Sequence, residues 1–386
     1  MRSLPRLVLV LALIIAAVSL LAGCPPRQET APPPVTPPVT EKAQAPAPNE
    51  TPLLVQGDSS EEYVAIGIST GAEYWNATRA GLDDVCAELG VSGKFEGPLE
   101  HRPDEQANIL DQAIARKPAG ILIAPGNPET LKPYIDKAID AGINVICIDT
   151  DSPDSKRLAY YGTSNYEAGC TGARILAETL KATPKPEYKV VLSTRPGQWN
   201  LDERVRGYKE TLAKEAPEVK VVQVIDDETK YEVGQKQAGA MLAKYPDLAG
   251  FAGMNAFSGP GVARAVQAAQ KSGQIVIVAM DGDTPILDLI QDGTITASVA
   301  QRQYYMTYIG VKYLFGLKHG LFRQPGDTTD PSLPEIPTLI DTGTVEVNED
   351  NLDAFRTPSQ GAKELLLKDH PDWAALLHEP AEGATK

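Results

Sequence analysis

Short apolar runs alternate with segments of helical periodicity along most of this chain, and that alternation restricts the fold more than any other feature. The run at residues 64–68 is almost continuously apolar, as in a parallel strand with both faces covered. Similar runs lie at 120–124, 144–148, 189–193, 220–225, 250–254, 275–280 and 296–300. Helical patterns separate most of them, so the sequence predicts repeated βα units and an α/β fold.

A polar break at residues 162–165 divides the βα units into two sets. Two sets predict two Rossmann-like lobes with parallel sheets joined by a hinge, while a single large barrel is the alternative for this many repeats. The 386 residues are enough for two domains. We expect an N-terminal lobe at 61–163 with about 302–325, a C-terminal lobe at 164–301 with about 326–345, and a tail at 346–386.

The N-terminus has the features of a secretory signal. Arg2 and Arg6 precede an apolar run that is short for a membrane span and ends in Leu21-Ala22-Gly23-Cys24. These four residues resemble the bacterial lipobox. The resemblance implies a lipoprotein signal peptide with lipobox over residues 1–24, in which Cys24 is lipidated and becomes the new N-terminus. A free cysteine behind an ordinary cleavage site is the alternative. Residues 25–60 are rich in proline and predict a disordered, extended linker.

Charge and composition exclude several classes of function. The net charge is −15 and no basic run follows the extreme N-terminus, which argues against a nucleic-acid partner. The chain has four histidines, and its four cysteines show no metal-binding spacing. The sequence therefore implies no metal and no cofactor. How Cys86, Cys147 and Cys170 pair is left open.

Four polar residues directly follow apolar strands: Asp149, Asn255, Asp281 and Gln301. A single Asp or Asn at such a turn is more often a helix cap, but four caps together are a less economical explanation. The carboxyl ends of parallel strands face the ligand crevice in open α/β sheets. We therefore expect these side chains to lie in one crevice.

Aromatic residues occupy two similar positions. Tyr74 and Trp75 follow the first predicted strand, and Trp199 follows another, although the chain has only three tryptophans. Packing of the rings into the core is the alternative to a ligand role. Together with Arg204, this set suits a sugar, because oxygens accept from hydroxyls, the guanidinium donates, and rings stack on the apolar face of a pyranose.

Seven segments carry a resemblance to a known family: ISTGAEYW, IAPGNPETL, NVICIDTD, ERVRGYKETL, GMNAFSGPGVARA, VAMDGDTP and TASVAQ. From residue 63 to about 317 the chain resembles the periplasmic sugar-binding proteins of the ribose and galactose type, which have the type I solute-binding fold of ABC transporters. The resemblance implies that Tyr74 and Trp75 stack on the ligand and that Asp149 is the first-lobe carboxylate. It implies polar ligand contacts from Asn255, Asp281 and Gln301.

Two departures from the family pattern bear on the ligand. Thr150 follows Asp149 where ribose binders have an arginine, and Ala72-Glu73 replaces an expected asparagine before the aromatic pair. Ribose itself is therefore not the ligand we predict. The calcium loop of galactose-type members, a run of spaced acids with an accompanying Glu, is absent from the sequence.

The resemblance implies a monomeric, membrane-tethered extracytoplasmic receptor, lipid-anchored on the periplasmic or cell-surface side. It would bind a sugar or related polyol between the lobes and deliver it to an ABC permease. A sensor lipoprotein that presents a sugar-like signal or nucleoside to a chemoreceptor or kinase is the alternative. An enzyme with Asp149 and Asp281 as a glycosidase pair is disfavoured, since the chain shows no Ser-His-Asp or Cys-His set.

Overall fold

A computed structural model describes residues 52–378. The predicted signal peptide, Cys24 and most of the predicted linker lie outside these residues. The strands are β1 (Glu62–Ile66), β2 (Ser92–Glu96), β3 (Gly120–Ile123), β4 (Val145–Ile148), β5 (Ala159–Gly162), β6 (Tyr188–Thr194), β7 (Val219–Asp226), β8 (Leu248–Gly253), β9 (Val276–Met280), β10 (Ala297–Gln301), β11 (Leu339–Asp341) and β12 (Thr344–Val347).

Helices follow most of the strands, and a 3₁₀ turn at Glu73–Trp75 precedes the first of them. No helix within residues 52–378 is both long enough and apolar enough to cross a membrane. The helices are α1 (Asn76–Leu89), α2 (Pro103–Arg116), α3 (Pro128–Asp140), α4 (Asn165–Lys181), α5 (Trp199–Glu215), α6 (Tyr231–Lys244), α7 (Ser258–Ala268), α8 (Thr284–Gln291), α9 (Gln303–Lys318), α10 (Leu352–Arg356), α11 (Pro358–Asp369) and α12 (Pro371–Ala375).

The strands form two six-stranded sheets with the same internal order. One sheet runs β2-β1-β3-β4-β5-β11 and the other runs β7-β6-β8-β9-β10-β12. Neighbours pair in parallel except β10 and β12, which are antiparallel. The central strands β3, β4 and β8 are buried along their whole length, as their continuous apolar sequences predict. The predicted α/β fold with two lobes is confirmed.

The chain passes between the lobes at three places, which form the hinge. These lie between β5 and α4, between β10 and α9, and between β11 and β12. The backbone N–H of Thr342 donates to the carbonyl of Gly162 at 2.8 Å, and that of Ser164 donates to Asp341 Oδ1 at 2.9 Å. The first and third crossings are therefore hydrogen-bonded side by side.

The position of β11 corrects one boundary drawn from the sequence. We expected residues 326–345 to belong to the C-terminal lobe. Instead, β11 pairs with β5 in the N-terminal sheet, and β12 pairs with β10 in the C-terminal sheet. Ile340 of β11 is buried in the same apolar cluster as Tyr161 of β5. That burial fixes β11 to the N-terminal lobe.

The C-terminal helices are anchored to both lobes. Arg356 at the end of α10 forms an ion pair with Asp288 of α8 at 3.0 Å. At the end of α11, Asp369 pairs with Arg302 at 3.0 Å, directly beside the second hinge crossing. The buried Lys312 of α9 donates to the carbonyl of Ala374 at 2.7 Å. The segment predicted as a tail therefore spans the flank of the hinge.

Close packing of α4 against α5 depends on two glycines. A Cβ at Gly169 would lie 2.2 Å from the carbonyl oxygen of Arg204, and a Cβ at Gly207 would lie 2.2 Å from that of Tyr166. Any side chain at either position would push the two helices apart. The missing Cβ atoms therefore set where α5 presents Arg204.

We expect Gly169→Ala to lower the free energy of unfolding by about 1–3 kcal/mol, because the added methyl group meets rigid backbone. Gly239 of α6 is the matched control, since a Cβ there would meet nothing within 4 Å. Gly239→Ala is expected to raise stability by about 0.5–1 kcal/mol through the better helix propensity of alanine. Urea denaturation measures both variants. Equal effects would contradict the close approach of α4 and α5.

Candidate ligand-binding site

Two aspartates occupy equivalent positions in the two lobes. Asp149 follows β4 and Asp281 follows β9, the fourth strand of each sheet counted from the β2 and β7 edges. Both residues have positive φ angles, 62° and 75°. Left-handed backbone at a residue other than glycine costs energy, and it persists where the surroundings hold it. A turn of the same strained conformation therefore presents one carboxylate at the carboxyl edge of each sheet.

Hydrogen bonds hold these two turns in the same way. The backbone N–H of Asp149 donates to the carbonyl of Tyr161 at 3.2 Å, and that of Asp281 donates to the carbonyl of Val299 at 2.9 Å. Both acceptors lie on the neighbouring strand of their own sheet. The carboxylates are therefore positioned by the sheets and not by flexible loops.

Each carboxylate has a polar partner. The hydroxyl of Tyr74 donates to Asp149 Oδ1, and Gln301 Nε2 donates to Asp281 Oδ1 at 2.9 Å. Burial raises the pKa of Asp149 to about 6, although the Tyr74 hydrogen bond and the charge of Arg204 oppose the rise. Burial also raises the pKa of Asp281, against the opposing charge of Arg204. Both groups are thus short of stabilising donors.

Arg204 supplies the positive charge between the two acids. Its side chain is buried, with Nε donating to Asn165 Oδ1 and Nη1 donating to the carbonyl of Met254, both at 2.8 Å. Among residues 52–378, Nη2 has no hydrogen-bond partner. The guanidinium is fixed at two of its nitrogens, and the third remains available to a ligand.

Five of the predicted site residues therefore surround one space: Tyr74, Asp149, Arg204, Asp281 and Gln301. They come from both lobes and from the hinge. The set offers two carboxylates, a guanidinium, a phenol and an amide.

Asn255 lies at the same edge of the C-terminal sheet, directly after Met254. Its Oδ1 accepts from the backbone N–H groups of Phe257 at 2.9 Å and Ser258 at 3.1 Å, so it caps the start of α7. Its Nδ2 donates to Asp227, a buried carboxylate that the sequence analysis missed. The available signal was the acidic pair Asp226-Asp227 at the end of β7.

The two tryptophans lie in different surroundings. Trp75 is 3% exposed in the core of the N-terminal lobe, with its ring 6.0 Å from that of Phe95 and edge-on to Tyr74 at 5.2 Å. Trp199 is 68% exposed at the start of α5. The expectation that both indoles face one crevice stays a prediction. As separate ligand-binding residues they also stay a prediction, while the hydroxyl of Tyr74 contacts the carboxylate of Asp149.

The lobes touch each other beside this group of polar residues. The carboxylate of Glu73 accepts from both the hydroxyl and the backbone N–H of Thr284, the latter at 3.3 Å. Burial, together with the charges of Asp281 and Glu73, raises the pKa of the adjacent Asp283 to about 7. Glu73 lies in the N-terminal lobe and Thr284 in the other, so this contact is made when the cleft is closed.

A cavity of about 410 Å³ adjoins the site. Its lining includes Tyr74, Gln301 and Asp283 together with Phe355 and Leu365 of the C-terminal helices. Its size lies within the usual range of small-molecule pockets. The C-terminal helices therefore enclose one flank of the space between the lobes.

Comparison with known proteins identifies the family to which this chain belongs. The model of the periplasmic binding protein domain family matches residues 64–320. A D-ribose/D-allose-binding protein of Pseudomonas aeruginosa is 28% identical over 232 residues, which are 58% of this chain and 69% of that protein. The protein thus falls in the class of two-lobed binding proteins. The chain belongs to the periplasmic binding protein domain family, and the family predicted from the sequence is confirmed.

Two solved structures are similar to this chain over a comparable share of its length. A sugar-binding protein of a sugar ABC transporter from Bacillus halodurans superposes with a TM-score of 0.72 and 37% identity, over 76% of this chain and 100% of that one. AraP, an arabinose-binding protein from Geobacillus stearothermophilus, gives a TM-score of 0.71 and 35% identity over 76% of this chain and 99% of that one.

Proposed function

We propose that this protein is an extracytoplasmic receptor that binds a sugar or related polyol between its lobes and delivers it to an ABC permease. One observation carries the proposal. Two carboxylates, the half-buried Asp149 and the buried Asp281, face one space with the partly free guanidinium of Arg204. A hydroxyl-rich ligand donates to the acids and accepts from the arginine.

The charges of the ligand-free site indicate the class of ligand, because two carboxylates share one cation and few hydrogen-bond donors. Asp149 and Asp281 are desolvated, and the only cation among the five grouped site residues is Arg204. An acidic ligand would bring a third anionic group beside these two carboxylates, and the added charge repulsion disfavours it. A neutral polyol adds hydrogen-bond donors without adding charge, and bonds to charged groups are the stronger ones. The names of the relatives, which specify ribose, allose and arabinose, support a monosaccharide.

Closure of the lobes completes the site. Asp149 and Tyr74 belong to the N-terminal lobe, whereas Asp281 and Arg204 belong to the C-terminal lobe. An open cleft separates these two halves, so a ligand that contacts both stabilises the closed form. The contact between Glu73 and Thr284 adds to closure at the rim. The permease would then distinguish the loaded receptor by its closed shape.

A panel of sugars tests the proposal by thermal shift. We expect at least one of arabinose, ribose, allose, galactose and xylose to raise the melting temperature, because a ligand that binds only the folded state adds about 2.7 kcal/mol at a hundredfold excess over Kd. Asp281→Asn replaces an acceptor with a donor and should lower affinity about ten- to a hundredfold. A panel without any shift, or an unchanged affinity of Asp281→Asn, would contradict the proposed site.

We also propose that the receptor is held at the membrane by a lipid on Cys24. The support is the tetrapeptide Leu21-Ala22-Gly23-Cys24 behind the apolar run. The receptor would act as a monomer, with the proline-rich segment as its spacer.

Replacing Cys24 with Ser removes the thiol that would carry the acyl chains. We expect Cys24→Ser to move the protein from the membrane fraction to the soluble fraction of cells expressing the full chain. Cys86→Ser is the control, because that thiol is buried in the N-terminal lobe. Salt-washed membranes are assayed by immunoblot. Continued sedimentation of Cys24→Ser with the membranes would show that another element anchors the protein.

A further inference from the structure

Asp227 is a carboxylate buried in the C-terminal lobe, with no exposed surface. It follows β7 and lies outside the five residues grouped above, which it approaches only through Asn255 among the described residues. Burying a charge costs several kcal/mol unless hydrogen bonds compensate for the lost water. An acid at this position therefore needs a specific set of donors.

Four donors converge on the Asp227 carboxylate. The hydroxyl of Ser193 donates to Oδ2 at 2.9 Å, and the hydroxyl of Ser258 donates to the same oxygen. The backbone N–H of Thr229 donates to Oδ1 at 2.9 Å. The fourth donor is Asn255 Nδ2, at 3.3 and 3.4 Å from the two oxygens. A carboxylate has about four acceptor positions, so these donors use its capacity.

The turn after Asp227 is strained and depends on this acid. Glu228 and Thr229 have φ angles of 51° and 52°, in the left-handed region. Two successive residues in this region raise the energy of the backbone. The hydrogen bond that the N–H of Thr229 donates to Asp227 offsets part of this cost. Asp227 is thus built into the edge of the sheet where Asn255 lies.

The amide of Asn255 is held at both ends by these contacts. Its Oδ1 accepts from Phe257 and Ser258, and one hydrogen of Nδ2 points to Asp227. The second hydrogen of Nδ2 has no acceptor among the described residues. Asn255 directly follows Met254, whose backbone carbonyl accepts from Arg204 Nη1, so Asn255 lies one residue from a group that contacts the site.

We propose that Asp227 is a positioning residue that orients the Asn255 amide as a hydrogen-bond donor to the bound sugar. This inference rests on the proposed function, because it assigns a role in the same site. Asp227 does not touch the ligand itself, since its acceptor positions are taken by protein donors. It acts through Asn255, whose amide cannot turn its oxygen towards the cleft while both ends are held.

A double-mutant cycle separates this role from a structural one. Asp227→Asn places an amide N–H₂ against Nδ2 of Asn255 and is expected to weaken binding about three- to tenfold in the otherwise unchanged chain. In a chain that already carries Asn255→Ala, the same change is expected to alter Kd by less than about twofold. Calorimetric titration with arabinose, ribose and allose gives the four dissociation constants. Equal losses in both backgrounds would overturn the proposal.

Asp226→Asn is the matched control. Asp226 is exposed, and within residues 52–378 its carboxylate accepts only the backbone N–H of Glu228, a bond that asparagine can also form. We expect this variant to bind as the unchanged protein does. A loss equal to that of Asp227→Asn would assign the effect to the loop as a whole and contradict a specific role for Asp227.

Nuclear magnetic resonance of the unchanged protein gives a second test, which also applies when Asp227→Asn does not fold or when no sugar binds. The two side-chain amide protons of Asn255 should exchange with water at clearly different rates, with the proton facing Asp227 protected. Equal, rapid exchange would overturn the proposal. If one amide proton of Asn255 is protected but the protein binds none of the three sugars, the orientation of Asn255 by Asp227 is upheld and the proposed function is contradicted.

Discussion

The closed form of this protein holds two carboxylates in a site that withdraws them from water, with one guanidinium between them. Asp149 and Asp281 come from opposite lobes, and burial, with a smaller contribution from the charge of Asp281, raises the pKa of Asp149. In the free protein, the stability contributed by protonated Asp149 is complete below its ordinary pKa of 3.8 and is lost as the pH rises through about 6. At neutral pH the closed, empty cleft therefore carries an unfavourable charge that ligand hydroxyls can relieve.

The rest of the fold positions the groups that modulate this interaction. Equivalent strained turns after β4 and β9 aim the two acids, and the close contact of α4 and α5 presents Arg204. Gln301 leaves the C-terminal sheet at the second hinge crossing and donates to Asp281. The next residue, Arg302, is paired with Asp369 of the C-terminal helices. Movement at the hinge therefore changes the site and the C-terminal contacts together.

The features predicted correctly from the sequence are those with a local signal. Continuous apolar runs locate the central strands, and a polar residue after such a run marks the edge where Asp149 and Asp281 lie. The pairing of β11 and the packing of the C-terminal helices depend on contacts between distant residues, which periodicity does not encode. Asp227 was missed because a buried aspartate cannot be told from an exposed one in the sequence. The different exposure of Trp75 and Trp199 was missed because the burial of a side chain depends on contacts with distant residues.

Proton release on binding tests the central claim most directly. If ligand hydroxyls donate to Asp149, they stabilise its ionised form, lower its pKa from about 6, and release protons when the sugar binds near pH 6. Calorimetric titration in two buffers of different ionisation enthalpy counts these protons. We expect release of up to about half a proton per molecule at pH 6 and almost none at pH 8, since half of a group is protonated at its pKa. Sugar binding at pH 6 without proton release would show that Asp149 is not an acceptor of ligand hydroxyls.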